Sequence, residues 1–211
     1  MRTSAVIKAL LAATAVAPML CLAESNVQNG AGALTATAHV DFQITIPKFV
    51  FLRIGTGTGT LAGGWANNAV VDQITWAPAP AAVGTGVLAG TGGDLGTGTE
   101  TAAVYANGNG NVTLGCTTTG PLNDGAGDNI SYATITTTAS VLTSATALPV
   151  CTLGDGVTNN VVIPAVAKIV SRDAKWAYSY TNATIPPAGT YGGGGAGNTG
   201  AGRVTYTAAL P

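Results

Sequence analysis

His39 is the one histidine in this chain of 211 residues. Histidine is the side chain best suited to move protons near neutral pH, so its setting decides how much acid–base chemistry to expect. His39 sits in LTATAHVDFQITI on the polar side of an alternating run, flanked two residues away by Thr37 and Asp41. No serine or cysteine stands in a nucleophile motif, and neither G-x-S-x-G nor H-E-x-x-H occurs. His39 is therefore read as a solvated or interface residue. The acidic residues are scattered. DGAGDN alone gathers oxygen ligands in one turn, through Asp124, Asp128 and Asn129. It lacks the D-x-D-x-D-G spacing and closing bidentate acid of a calcium loop, so an Asx-turn is the simpler reading and calcium the open alternative. Paired carboxylates for glycoside hydrolysis could converge from distant segments, but no such pair is identifiable. GTGTGT (55–60) lacks the helix and lysine of a phosphate cradle. No catalytic residue, cofactor-binding residue, cofactor or metal ligand is assigned, and the chain reads as a protein without enzymatic activity.

Cysteine and the aromatic residues offer other chemistry. The opening segment MRTSAVIKALLAATAVAPMLCLAES has a positive start at Arg2 and Lys8 and a short apolar run, with Ala23 before the polar Glu24. That pattern reads as a secretory signal (1–23), too short in its apolar part to span a bilayer. Cys116 and Cys151 then remain, and two cysteines in an exported chain are expected to pair. The closed loop would be worth about 4 kcal/mol in the chain-entropy account. Trp176, Tyr178 and Tyr180 fall on one face of KWAYSY, as either a core stripe or a sugar platform.

Charged residues make up 8% of the chain against roughly 25% in ordinary globular proteins. There is no basic cluster, so nucleic acid is not an expected partner. The bulk is Gly, Ala and Thr. Such a surface suits a shell exposed to medium or packed against copies of itself, and Thr, Val and Gly together favour strands and turns over helices.

The elements follow from period 2. Leu34, Ala36, Ala38, Val40, Phe42, Ile44 and Ile46 would share one face of an extended chain, with polar residues between them. At about 3.3 Å per residue this run reaches roughly 40 Å, about twice a typical strand. Residues 24–33 form a polar, Gly-containing tether before it. Further strands are expected in KFVFLRI, AVVDQITW, TAAVYA, NVTLGC, NISYATITTT, LPVCTL, NNVVIPAVAKIV, KWAYSY and RVTYTAAL, with NGNG and PLNDGAGDN as turns. Residues 81–99 read as a surface loop or a pair of short edge strands, and the glycine run 192–195 as a hairpin loop. About eight to ten short strands separated by turns describe an all-β antiparallel sandwich spanning 34–211.

GNVTLGC, a Gly/Asp-rich turn, NISYATIT and the closing PPAGTY…GRVTYTAALP together resemble bacterial pilin-like domains, fimbrial subunits and spore-coat-U-type secreted proteins. The resemblance covers about half of the mature chain, and its motifs are short. It implies an immunoglobulin-like sandwich that lacks a strand and receives the N-terminal strand of the next subunit. It further implies self-association into a polymer, a periplasmic chaperone, outer-membrane assembly machinery, and a place on the cell surface in a fimbria or biofilm matrix with a role in adhesion. Leu34–Ile46 would be the donated strand, with the alternative that it is the first strand of its own sandwich. A monomeric secreted carbohydrate- or surface-binding module is the reading from a different class. A small outer-membrane barrel fits poorly, because 6% aromatic residues supply little for two girdles. If the chain is structural, glycosidase and esterase screens should detect no saturable turnover, and His39→Ala should change nothing in them. Saturable turnover abolished by a single substitution would contradict this reading.

Overall fold

β-branched and aromatic residues at alternate positions, broken by Gly, Pro, Asn and Asp, leave the chain few options besides antiparallel strands. In the computed structural model, residues 25–57, 59–60, 64–193 and 202–211 are described; the expected signal segment and part of the 192–195 glycine run lie outside them. Among the described residues there is no α-helix, and no helix long and apolar enough to cross a membrane. The chain divides into two units, Met1–Ile46 and Pro47–Pro211.

The second unit holds every strand found among the described residues. They are β1 (Phe49–Ile54), β2 (Gly59–Thr60), β3 (Gly64–Trp65), β4 (Ile74–Thr75), β5 (Gly86–Ala89), β6 (Thr91–Gly92) and β7 (Thr99–Asn107). Then come β8 (Val112–Thr118), β9 (Leu122–Asn123), β10 (Asn129–Ile130), β11 (Ile135–Ser140), β12 (Thr158–Ile163), β13 (Ile169–Asn182) and β14 (Val204–Ala209). One sheet runs β1-β7-β13-β11, with β5 continuing alongside the far end of β13. A second runs β12-β8-β14, and three two-stranded ribbons complete the set. All pairings between strands are antiparallel, consistent with a β-sandwich.

Period 2 sorts the side chains of both sheets. Ala102, Val104 and Ala106 of β7 face the core with Val170, Ala174, Trp176 and Tyr178 of β13. Val112, Leu114 and Cys116 of β8 meet them from the second sheet. The rings of Trp176 and Tyr206 lie 5.4 Å apart, and the hydroxyls of Tyr178 and Tyr206 are hydrogen-bonded at 3.0 Å. Burial pushes the Tyr206 phenol up to about 12, so the pair stays neutral. The opposite face of the second sheet carries Thr113, Thr117, Thr158, Thr205 and Thr207, the hydroxyl-rich surface that the composition implies.

Several expectations are revised. AVVDQITW contributes only the two residues of β4. LPVCTL forms no strand, yet Leu148, Cys151 and Leu153 are buried. Its backbone is satisfied elsewhere: Leu148 N–H donates to Asp173 O, Trp176 Nε1–H to Leu148 O at 3.0 Å, and Asn159 Nδ2–H to Thr152 O. The expected strand NNVVIPAVAKIV is divided: its first part lies in β12, and Ile169 and Val170 open β13, which runs on through KWAYSY and is the longest of the described elements at 14 residues. β13 begins at a tight two-residue turn, where Ala167 and Lys168 adopt φ of 50° and 67°. Residues 81–99 do hold the pair of short strands, β5 and β6.

Cys116 and Cys151 are joined, with Cα atoms 6.2 Å apart, and tie the irregular buried segment to the central strand of the second sheet. Non-reducing peptide mass spectrometry of exported protein should recover them linked. Replacing both by alanine should cost about 2–4 kcal/mol in denaturant unfolding. Two alkylatable thiols in the exported protein would contradict the assignment.

Candidate functional site

The alternating run Leu34–Ile46 belongs to no ladder. Leu34, Val40, Phe42, Ile44 and Ile46 are all exposed, Phe42 at 89%, and Ala36 and Ala38 are exposed as well. Period 2 specifies which side chains of an extended segment need a partner. It does not specify that the partner lies in the same chain.

The sheets present matching needs at their edges. Among the described residues, β1 bonds only β7, and β14 bonds only β8. Cα atoms of β1 and β14 approach within 8 Å although the two strands share no ladder. Leu52 and Ile54 of β1, and Val204, Tyr206, Ala208 and Leu210 at β14, rest on the core but are only partly covered. Asn107 fixes where β1 starts: its Oδ1 accepts from Phe49 N–H at 2.7 Å, and its Nδ2–H donates to Pro47 O at 2.8 Å. Each of these edge strands has an outer side that bonds no other strand among the described residues, which is where an extended segment can add to a sheet.

The aromatic residues divide. Trp176 and Tyr178 are core residues, while Tyr180 is half-buried and tilted against Trp76 at 6.3 Å. Trp65 lies 4.4 Å from Phe49 and 5.5 Å from Phe51 between ring centroids, and remains 38% exposed.

Carboxylates form two kinds of site. In the DGAGDN turn, Asp124 Oδ1 accepts from the N–H groups of Ala126, Gly127 and Asp128 at 2.8, 3.1 and 3.0 Å. That is an Asx-turn, and these donors, Ala126 first, lower the Asp124 pKa. A trio that sequence spacing hides lies beyond the end of β1. Oxygens of Asp72, Asp94 and Glu100 all lie within 4.8 Å of one another. Asp94 is held by Thr101 N–H at 2.6 Å and by Arg53, whose Nη2 is 3.2 Å away. Thr56 N–H donates to Asp72. Glu100 is 4% exposed, and its Oε2 has no hydrogen-bond partner. Burial first, then the Asp72 and Asp94 charges, push Glu100 up to about 8. The one legible signal is parity: Glu100 shares the face of Ala102, Val104 and Ala106, a charge at a core position.

No protein-family model, curated protein or solved structure gives a match to this chain.

The crowding at Glu100 has a pH signature. A folded pKa of about 8, against roughly 4.3 in an unfolded chain, means that the native state holds a proton the unfolded state has released. That contribution is complete below about pH 4.3 and is lost as pH rises through about 8. The facing charges are Asp72, Asp94 and Arg53, with the Tyr178 and Tyr206 phenols also within electrostatic reach. Urea unfolding in chelator-treated buffer should show lower stability at pH 8 than at pH 5, and Glu100→Gln should flatten the difference. An unchanged slope in that variant would place the titration elsewhere.

Proposed function

We propose that this protein is an exported structural subunit that assembles head to tail, each chain donating Leu34–Ile46 to the open sheet edges at β1 and β14 of the next. The observation that carries this reading is the row of exposed apolar residues at alternate positions, in a segment that forms no ladder. Val40, Phe42, Ile44 and Ile46 could each contribute about 1.5–3 kcal/mol when fully buried. Backbone bonding to the free edges of β1 and β14 would supply affinity, and the alternate side chains would supply register. Residues 24–33 give the donor its reach. A contact of this kind joins two different surfaces, so it propagates into a filament instead of closing into a dimer. The few charges and hydroxyl-rich outer face suit a filament or matrix exposed to medium. The resemblance to pilin-like and spore-coat-U-type proteins supports the immunoglobulin-like topology, surface localisation and adhesive role that go with it. A periplasmic chaperone covering the open edges before assembly, and an outer-membrane assembly apparatus, are the partners such a subunit requires.

The second reading is a monomeric surface- or carbohydrate-binding module. It draws on Trp65, which keeps part of its ring exposed beside Phe49 and Phe51.

Gel filtration separates the two readings. The mature chain should form polymers, and a chain lacking 24–46 should remain a monomer. A synthetic peptide of residues 24–46 should then bind the truncated chain and raise its melting temperature. Phe42→Asp should block assembly and peptide binding, whereas Gln43→Asp should have little effect. A mature chain that stays monomeric, with a truncated form indifferent to the peptide, would defeat strand donation and favour the binding module.

A further inference from the structure

Two buried carboxylates of the second unit are equally covered and differently served. Asp173 is 4% exposed, and its oxygens accept from Thr143 N–H at 2.8 Å, Ser144 N–H at 2.7 Å and the Thr143 hydroxyl. Glu100 is also 4% exposed, yet Oε2 meets no donor and looks toward two further carboxylates. Leaving such a group without a counter-charge costs far more than leaving a neutral one unpaired. Arg53 balances only part of the trio, because its guanidinium reaches Asp94 and its Nε–H is directed to Gly55 O at 3.0 Å.

The backbone comes close where the carboxylates converge. Gly55 has φ +73°, and a Cβ built there would run into both Glu100 Oε2 and Asp72 Oδ2. Its N–H is tied to Thr101 O at 2.7 Å, so this close approach is held by the same strand that carries Glu100. The trio contains oxygen donors only, with no histidine or cysteine among them. All-oxygen sets select hard cations. Calcium binds oxygens at about 2.3–2.6 Å, so opposite ligands on one ion stand roughly 4.8 Å apart, the spread within which these oxygens fall. Calcium also tolerates irregular ligand geometry that magnesium does not.

We propose that Asp72, Asp94 and Glu100 form a calcium site that clamps the segment before β4 to the β6–β7 turn and the start of β7. The ion replaces the missing donor at Glu100 Oε2 and offsets the repulsion among the three carboxylates. It fixes the chain just beyond β1, and it is independent of whether the chain polymerises. The alternative is a proton shared between Glu100 and Asp72.

The test is calcium titration of the full mature chain at pH 7.5 by calorimetry and by thermal melting, after removal of metal with EDTA. One calcium per chain is expected, with a dissociation constant of the order of 10⁻⁴–10⁻³ M, as for extracellular modules. Calcium should raise the melting temperature. Asp72→Asn should weaken binding at least tenfold, and so should Glu100→Gln, whereas Asp124→Asn should bind as the parent does. Asp72 lies in a part-exposed segment, so its variant keeps the test usable if Glu100→Gln folds poorly. No saturable binding at several millimolar calcium would overturn the proposal in favour of the shared proton. Full binding retained by Asp72→Asn, or lost in Asp124→Asn alone, would overturn it as well.

Discussion

The hydrogen bond from Trp176 Nε1–H to Leu148 O orders much of the second unit. An indole buried this deeply needs an acceptor, and here the acceptor is a carbonyl in a segment that forms no strand of its own. Satisfying both groups at once draws residues 148–153 across the core edge. That places Cys151 against Cys116 on the central strand of the other sheet. Leu148 N–H is returned to Asp173 O on the same strand as Trp176, and the Asp173 carboxylate in turn gathers the N–H groups of Thr143 and Ser144. One long strand, β13, therefore carries the aromatic anchor and the carboxylate that orders the neighbouring loop. It is flanked on one side by β7 and β5 and on the other by β11.

This arrangement stabilises the middle of the sheets and leaves the margins open. β1 and β14 are the last strands of their respective sheets, on the side where those sheets approach each other. Half-covered Leu52, Ile54, Tyr206 and Ala208 lie beneath that margin. Natural sheets usually protect such edges with charge, proline or a covering loop. An edge left uncovered over a part-exposed core, in a chain whose N-terminal unit carries a matching apolar row, is the physical basis of the assembly proposal.

Much of the strand content is legible in the residues. NVTLGC and RVTYTAAL alternate and become β8 and β14, while TAAVYA, apolar on both faces and buried throughout, becomes β7. The full length of β13 is harder to read because Ala167 and Lys168 make a turn that Asn and Gly usually make. LPVCTL has the composition of a strand, but side-chain and long-range backbone partners take its hydrogen bonds. Asn182 illustrates a different limit. In sequence it heads an Asn-x-Thr triplet, and in the fold it is buried, bonded to Gly84 N–H and Ala82 O as the anchor of a loop. The acidic trio was not legible as a trio, since Asp72 and Asp94 come from irregular segments whose meeting depends on the whole sheet. Glu100 alone broke a local rule, by placing a carboxylate on the apolar face of β7.

Amide hydrogen exchange on the assembled mature protein, compared with the chain lacking residues 24–46, bears most directly on strand donation. In the assembled form, amides of Leu34–Ile46 should become slow to exchange. The alternate amides of β1 and β14 that point away from β7 and β8 should slow with them, and only in that form. Rapid exchange throughout Leu34–Ile46 in polymers, with β1 and β14 unchanged, would contradict the account.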